Sequence, residues 1–217
     1  MWCPKGCCDR NAVQYRNGLL TFVGPSGYGY EETKTAARVG TSPTLQRRYL
    51  GMISMTALRE NPPTFEVHDD LHGVGGMFIA DQWAIVVGAQ DMRRIAHDVL
   101  GRWSHQVATI FVQTNGHWPT QEQLVHFVTE AATLRCIAHE IGHALIASGS
   151  GNPYHPDEEA GADYYAGRLD AAHGRSVELG KMFFYAIGCT GRTCSHPRPP
   201  TRAAAYAFGY DAQQRAA

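Results

Sequence analysis

At 217 residues, with 44% hydrophobic and 18% charged side chains, the chain has the composition of an ordinary globular protein rather than a disordered tail. Its formal charge of -1 excludes a strong field drawing it to nucleic acid or to an anionic membrane surface. No apolar run approaches the roughly 18–20 residues needed to cross a bilayer, so no membrane span is expected.

The start, Met1-Trp2-Cys3-Pro4-Lys5-Gly6-Cys7-Cys8, lacks the charged-then-apolar layout of a secretory signal, and a cytoplasmic location is expected on that ground. Cys3, Cys7 and Cys8 match no zinc-finger spacing. The expected organisation is one domain over 1–217, in which 1–40 form an N-terminal arm and hairpin. Residues 13–22 carry the Asn17-Gly18 signal of a tight hairpin. Gly24-Pro25-Ser26-Gly27-Tyr28-Gly29 lacks the residue order of a phosphate loop and reads as a plain loop. Ser42-Pro43 then opens a helix to about Arg59, which Pro62-Pro63 ends.

Residues 65–87 read as strands, with Ala80-Asp81-Gln82 as the turn between Met77-Phe78-Ile79 and an alternating run of Trp83, Ile85 and Val87. Ile95, Val99, Trp103 and Val107 recur every four residues and mark an amphipathic helix. Thr120 and Gln123 have capping-box spacing for a longer helix to about Ser148, closed by Gly149 and Gly151. Further helices are expected over 157–172 and 176–187. Strands and helices first, then mostly helices, give an α+β fold with a small mixed sheet, an edge strand and a mainly helical C-terminal half.

The chemistry lies in Cys136-Ile137-Ala138-His139-Glu140-Ile141-Gly142-His143-Ala144-Leu145. Positions four apart share one face of a helix, so His139 and His143 can offer both imidazoles to one metal ion. Glu140 lies about 100° further round, within reach of a water on that metal without being a ligand. The helix is otherwise apolar and therefore buried, where ionisable groups are costly unless a metal or partner compensates them. A catalytic zinc with two histidines wants a third protein ligand and leaves the fourth position for water. Glu159 and Asp163, four apart on the next helix, are the donors that follow. One can ligate while the other accepts a hydrogen bond from a ligand histidine. His155, in the loop between the two helices, is the competing donor.

HExxH followed by Glu-x-x-x-Asp resembles the gluzincin metallopeptidases, of which thermolysin is a member. More narrowly, Glu159-x-x-Ala162-Asp163 is similar to the ExxAD signature of the HtpX-like and CAAX-prenyl-protease group. His196-Pro197 followed by Arg202 resembles that group's HPxxxxR element, and residues 159–169 are also similar to soluble ImmA-type peptidases. The resemblance covers 134–205 and hardly touches the first sixty residues. It implies a zincin-like fold, one catalytic Zn2+ on His139, His143 and Glu159, Glu140 as the catalytic base, and Asp163 behind a ligand histidine. The chain departs from that group in having no membrane spans. It also has Gly75-Gly76-Met77-Phe78 where an Asn-Ala-Phe element is usual, so substrate preference does not transfer.

The expected function is hydrolysis of a peptide or protein substrate by a zinc-activated water, with the substrate strand added to a sheet edge within 77–87. His196, Arg202, Tyr164 and Tyr165 are candidate oxyanion donors, His196 foremost, with Arg202 anchoring the C-terminal element to an acidic residue of the 157–163 segment. Cys189 and Cys194 are spaced for a small loop disulfide beside His196. A zinc-containing regulatory module without turnover and a zinc hydrolase of non-peptide amides are the alternatives. Substrate identity and oligomeric state are not readable from the sequence.

Overall fold

A computed structural model describes residues 13–16, 19–22, 34–71, 75–187 and 197–217. The strands are β1 (Val13–Arg16), β2 (Leu19–Phe22), β3 (Lys34–Val39), β4 (Thr64–His68), β5 (Gly76–Ile79) and β6 (Ala84–Gly88). They hydrogen-bond in the order β1-β2-β3-β4-β6-β5. β1 and β2 pair antiparallel with Arg16 opposite Leu19, the register that an Asn-Gly hairpin demands. β4 and β6 run parallel, whereas β3 and β5 flank them antiparallel, so β3-β4-β6-β5 is a small mixed sheet. β5 is its edge strand.

The strand region differs from its sequence pattern in two respects. Ala84, Ile85, Val86 and Val87 are all buried, because a strand covered on both faces needs a continuous apolar run rather than alternation. Trp83 does not belong to that strand. It sits in the preceding turn at φ 48°, with its indole Nε1 donating to the carbonyl of Asn61 at 3.0 Å.

Among the described residues there are six α-helices, several of which start at local signals. α1 (Pro43–Ser54) starts where the Ser42 hydroxyl accepts from Leu45 N, with proline in the first turn. It stops at Ser54 rather than near Arg59. There the Ser54 and Thr56 hydroxyls take the carbonyls of Gly51 and Ile53, and Thr56 caps a separate 3-10 turn at Ala57–Glu60. α2 (Ala89–Asn115) carries the expected apolar stripe and breaks at Trp103, where φ is -135° and ψ is 30°.

α3 (Gln121–Ala147) is the helix around which the others gather. The Thr120 hydroxyl accepts from Gln123 N, and the Gln123 side chain accepts from Thr120 N, closing a capping box. Leu134, Ile137, Ile141 and Leu145 are buried along it, each contributing about 1.5–3 kcal/mol. β5 and β6 cover part of its surface, and α1, α2, α4 (Glu158–Ala172) and α5 (Val177–Ile187) pack on other parts. α6 (Pro199–Ala216) lies against α4 and α5. It begins at Pro199, because Pro199 and Pro200 fit the first turn, where no N–H is needed. Among the described residues, no helix is long and apolar enough to cross a membrane.

α4 approaches α3 backbone to backbone. A Cβ at Gly142 would lie 2.6 Å from the Ala162 carbonyl oxygen and 2.7 Å from its Cα, closer than atoms pack. Gly142→Ala should therefore force the helices apart and cost about 1–3 kcal/mol, read as a lower urea midpoint. An unchanged midpoint would mean that the approach tolerates a methyl group and does not fix the helix spacing.

Candidate metal centre

His139, Glu140 and His143 project from α3, Glu159 and Asp163 from α4, and Arg202 from the first turn of α6. The His139 and His143 Nε2 atoms are 3.2 Å apart, with the rings edge to face. The Glu159 carboxylate meets both: Oε2 is 3.2 Å from His139 Nε2, and Oε1 is 3.5 Å from His143 Nε2. These three residues offer one ligand atom each, all within 4.8 Å of one another, and together could hold a metal ion.

Asp163 lies behind them, fully buried. Its Oδ1 is 2.8 Å from His139 Nδ1, so the ring nitrogen turned away from the cluster donates to it. Arg202 grips the same carboxylate with two bonds, Nε to Oδ2 at 2.7 Å and Nη2 to Oδ1 at 3.0 Å. Spacing left Glu159 and Asp163 interchangeable; the geometry separates them. Glu159 faces both Nε2 atoms, and Asp163 faces the far side of one ring.

Protonation follows from this arrangement. Burial disfavours the His139 imidazolium, but the charge and hydrogen bond of Asp163, with a further bond from Glu159, raise its pKa from 6.5 to about 9. Burial also opposes ionisation of Asp163, yet Arg202 and His139 hold it down at about 2. For Glu159 the hydrogen bonds from His139 and His143 outweigh burial and keep the carboxyl well below its usual range. The side chains alone thus form a site whose carboxylates are ionised and one of whose imidazoles readily takes up a proton.

Glu140 is buried and turned toward the sheet edge. A Cβ at Gly76 of β5 would lie 3.6 Å from Glu140 Cγ. Cys136, one turn earlier, packs against the same glycine. Burial, reinforced by the Glu140 charge, pushes its thiol pKa well up, which disfavours the thiolate.

The remaining candidates fall away from the centre or outside the described residues. His155 is exposed and belongs to no metal-holding group among the described residues. The Tyr165 hydroxyl donates to the carbonyls of Ser150 and Gly151, both at 3.0 Å. The Tyr164 ring lies among Tyr154, Tyr165 and Phe208. His196 and the Cys189–Cys194 pair lie outside the described residues.

Sequence reasoning missed Arg135, which is buried on α3 one turn before His139, with Nη2 3.6 Å from Asp163 Oδ1. The signal was present: a lone charge within Leu134-Arg135-Cys136-Ile137-Ala138, four residues before a candidate ligand. Compared with known proteins, the chain matches no family model, no curated sequence and no solved structure.

The raised His139 pKa has consequences of opposite sign for stability and for metal binding. In metal-stripped protein its contribution to folding is fully present below pH 6.5 and is lost as pH rises through about 9. A metal ion bound there would have to displace that proton, so the affinity for added zinc should rise about tenfold per pH unit from neutrality and flatten above pH 9. Chelator-competition titrations against pH measure this, and a flat affinity between pH 7 and 9 would contradict it.

Proposed function

We propose that this protein is a zinc-dependent metallopeptidase, with His139, His143 and Glu159 holding the metal and Glu140 as general base. The observation that carries the reading is that the two Nε2 atoms stand 3.2 Å apart and one carboxylate meets both, Glu159 Oε2 at 3.2 Å from His139 and Oε1 at 3.5 Å from His143. Zinc bonds of 2.0–2.2 Å in a tetrahedron put ligand atoms roughly 3.3–3.6 Å apart, close to these separations. Two imidazoles, one carboxylate and no thiolate form the donor set of catalytic zinc sites, which keep a position open, rather than of closed structural ones.

Zinc bound there would supply Lewis acidity, polarising a carbonyl and making a water acidic enough to attack near neutral pH. The protein's own groups divide the remaining tasks. Glu140 takes the proton of the attacking water on its carboxylate and returns it to the leaving amide nitrogen. Asp163 holds His139 by Nδ1, which fixes the ring and leaves Nε2 free to act as donor. Arg202 keeps Asp163 ionised and oriented for that purpose.

A peptide rather than a small amide is favoured by the position of β5. Among the described residues it pairs with β6 alone, so its other edge is open to a further strand. Gly76 on that strand lies beside Glu140, which brings an added peptide backbone past the base. The Glu-x-x-x-Asp resemblance to gluzincins supports the same assignment of residues.

Glu140→Gln should retain zinc and fold yet lose cleavage of a peptide library by about 10²–10⁴-fold, because the near-isosteric amide cannot serve as a base. Near-normal cleavage by the purified variant would sink the mechanism. A wild type that holds zinc but cuts no peptide would move the reading to the regulatory or non-peptide alternatives.

A further inference from the structure

One buried cation near the centre has no place in the mechanism above. Arg135 is 5% exposed, and among the described residues none of its guanidinium nitrogens Nε, Nη1 and Nη2 has a hydrogen-bond partner. Buried donors left unbonded cost free energy, and a charged group costs more than a neutral one. The guanidinium instead lies between surfaces. Its Cζ is 4.0 Å from the Tyr206 ring centroid and 4.5 Å from that of Phe184, and its Nη2 faces Asp163 Oδ1 at 3.6 Å.

Those surfaces are themselves fixed. The Tyr206 hydroxyl donates to Asp170 Oδ2 at 3.0 Å, and Arg175 holds the other oxygen of Asp170 at 2.7 Å. Phe184 also lies beneath Arg202, whose Cζ is 5.2 Å from the ring centroid. One aromatic platform from α5 and α6 thus backs both guanidiniums, and both address one carboxylate. Arg202 already satisfies Asp163 with two hydrogen bonds, so Arg135 is not needed to pair it. Arg135 adds positive charge on the Oδ1 side, the oxygen that receives His139 Nδ1.

We propose that Arg135 is a positioning residue of the metal centre: wedged between Tyr206 and Phe184, it holds Asp163 Oδ1 toward His139 Nδ1. This role rests on the metal reading above. Without Arg135, only Arg202 on the opposite helix steers the carboxylate, and the bond to His139 loses its restraint on the α3 side. A cation that costs stability where it stands, yet sits on the chain of groups leading to a ligand, is expected to serve the site rather than the fold. A purely structural arginine predicts the reverse, since its loss would weaken the fold and leave metal affinity alone.

The test uses Arg135→Met, whose unbranched side chain can fill the space between the rings, and Arg135→Lys, which keeps the charge without the planar fork. Two quantities are measured on the full chain: zinc Kd by chelator competition, and the urea midpoint of metal-stripped protein. Arg135→Met is expected to weaken zinc binding about 10–100-fold with an equal or higher midpoint, and Arg135→Lys to recover part of the affinity. A zinc Kd for Arg135→Met within about threefold of wild type, whatever the midpoint, overturns the proposal. If Arg135→Met does not fold, Arg135→Lys decides: several-fold weaker zinc binding supports the role, and wild-type affinity overturns it. Wild type that binds no zinc overturns the metal reading itself, and this role with it.

Discussion

The distance between α3 and α4 governs everything at the centre. Where Gly142 meets the backbone of Ala162 there is no room for a side chain, so the two helices touch main chain to main chain. Glu159 stands one turn before that contact and Asp163 immediately after it. A single close approach therefore places both carboxylates, one against the two Nε2 atoms and the other behind His139. A larger separation would draw the Glu159 backbone away from both imidazoles. The glycine inside the histidine motif is a packing residue with a functional consequence.

The second constraint is electrostatic. Asp163 is fully buried and is kept ionised by Arg202 and His139, which come from two different helices, while Arg135 faces it at 3.6 Å. Buried charges of this kind cost several kcal/mol each unless compensated, so their mutual arrangement must be complete before it stabilises anything. Arg202 reaches Asp163 from α6, near the end of the chain, and α5 supplies Phe184 beneath the guanidiniums. The ligand set on α3 and α4 is thereby tied to the docking of the last two helices. Correct assembly of the helical half and formation of the candidate metal site would then be one event. A chain that had not packed α6 would leave Asp163 without Arg202 and His139 with an acceptor still strongly hydrated.

What was legible in the sequence was local. Thr120 and Gln123 announce the start of α3, Asn17-Gly18 announces the β1–β2 register, and the i, i+4 spacing puts His139 and His143 on one face. Each depends on residues a few positions apart and survives any tertiary arrangement. The order of the two carboxylates was not legible from spacing, because Glu159 and Asp163 share a helical face and only the crossing with α3 distinguishes them. Trp83 read as strand because it is apolar and in phase, whereas a left-handed turn and a bond to Asn61 claimed it. The end of α1 was overrun because hydroxyl-to-carbonyl bonds at Ser54 and Thr56 have no signature in apolar periodicity. Arg135 was passed over for a related reason. A lone charge in an apolar helix has meaning only through Tyr206 and Phe184, some fifty to seventy positions away in the chain.

The central claim is that α4 delivers a carboxylate to the two histidines of α3, and that together they bind zinc. Zinc K-edge absorption of the protein loaded with stoichiometric metal tests it most directly. Four nitrogen or oxygen neighbours at about 2.0–2.1 Å, with outer-shell scattering from two imidazoles, is the predicted result. A sulfur neighbour near 2.3 Å, or a spectrum with no imidazole scattering, would place zinc elsewhere in the chain and contradict the assignment.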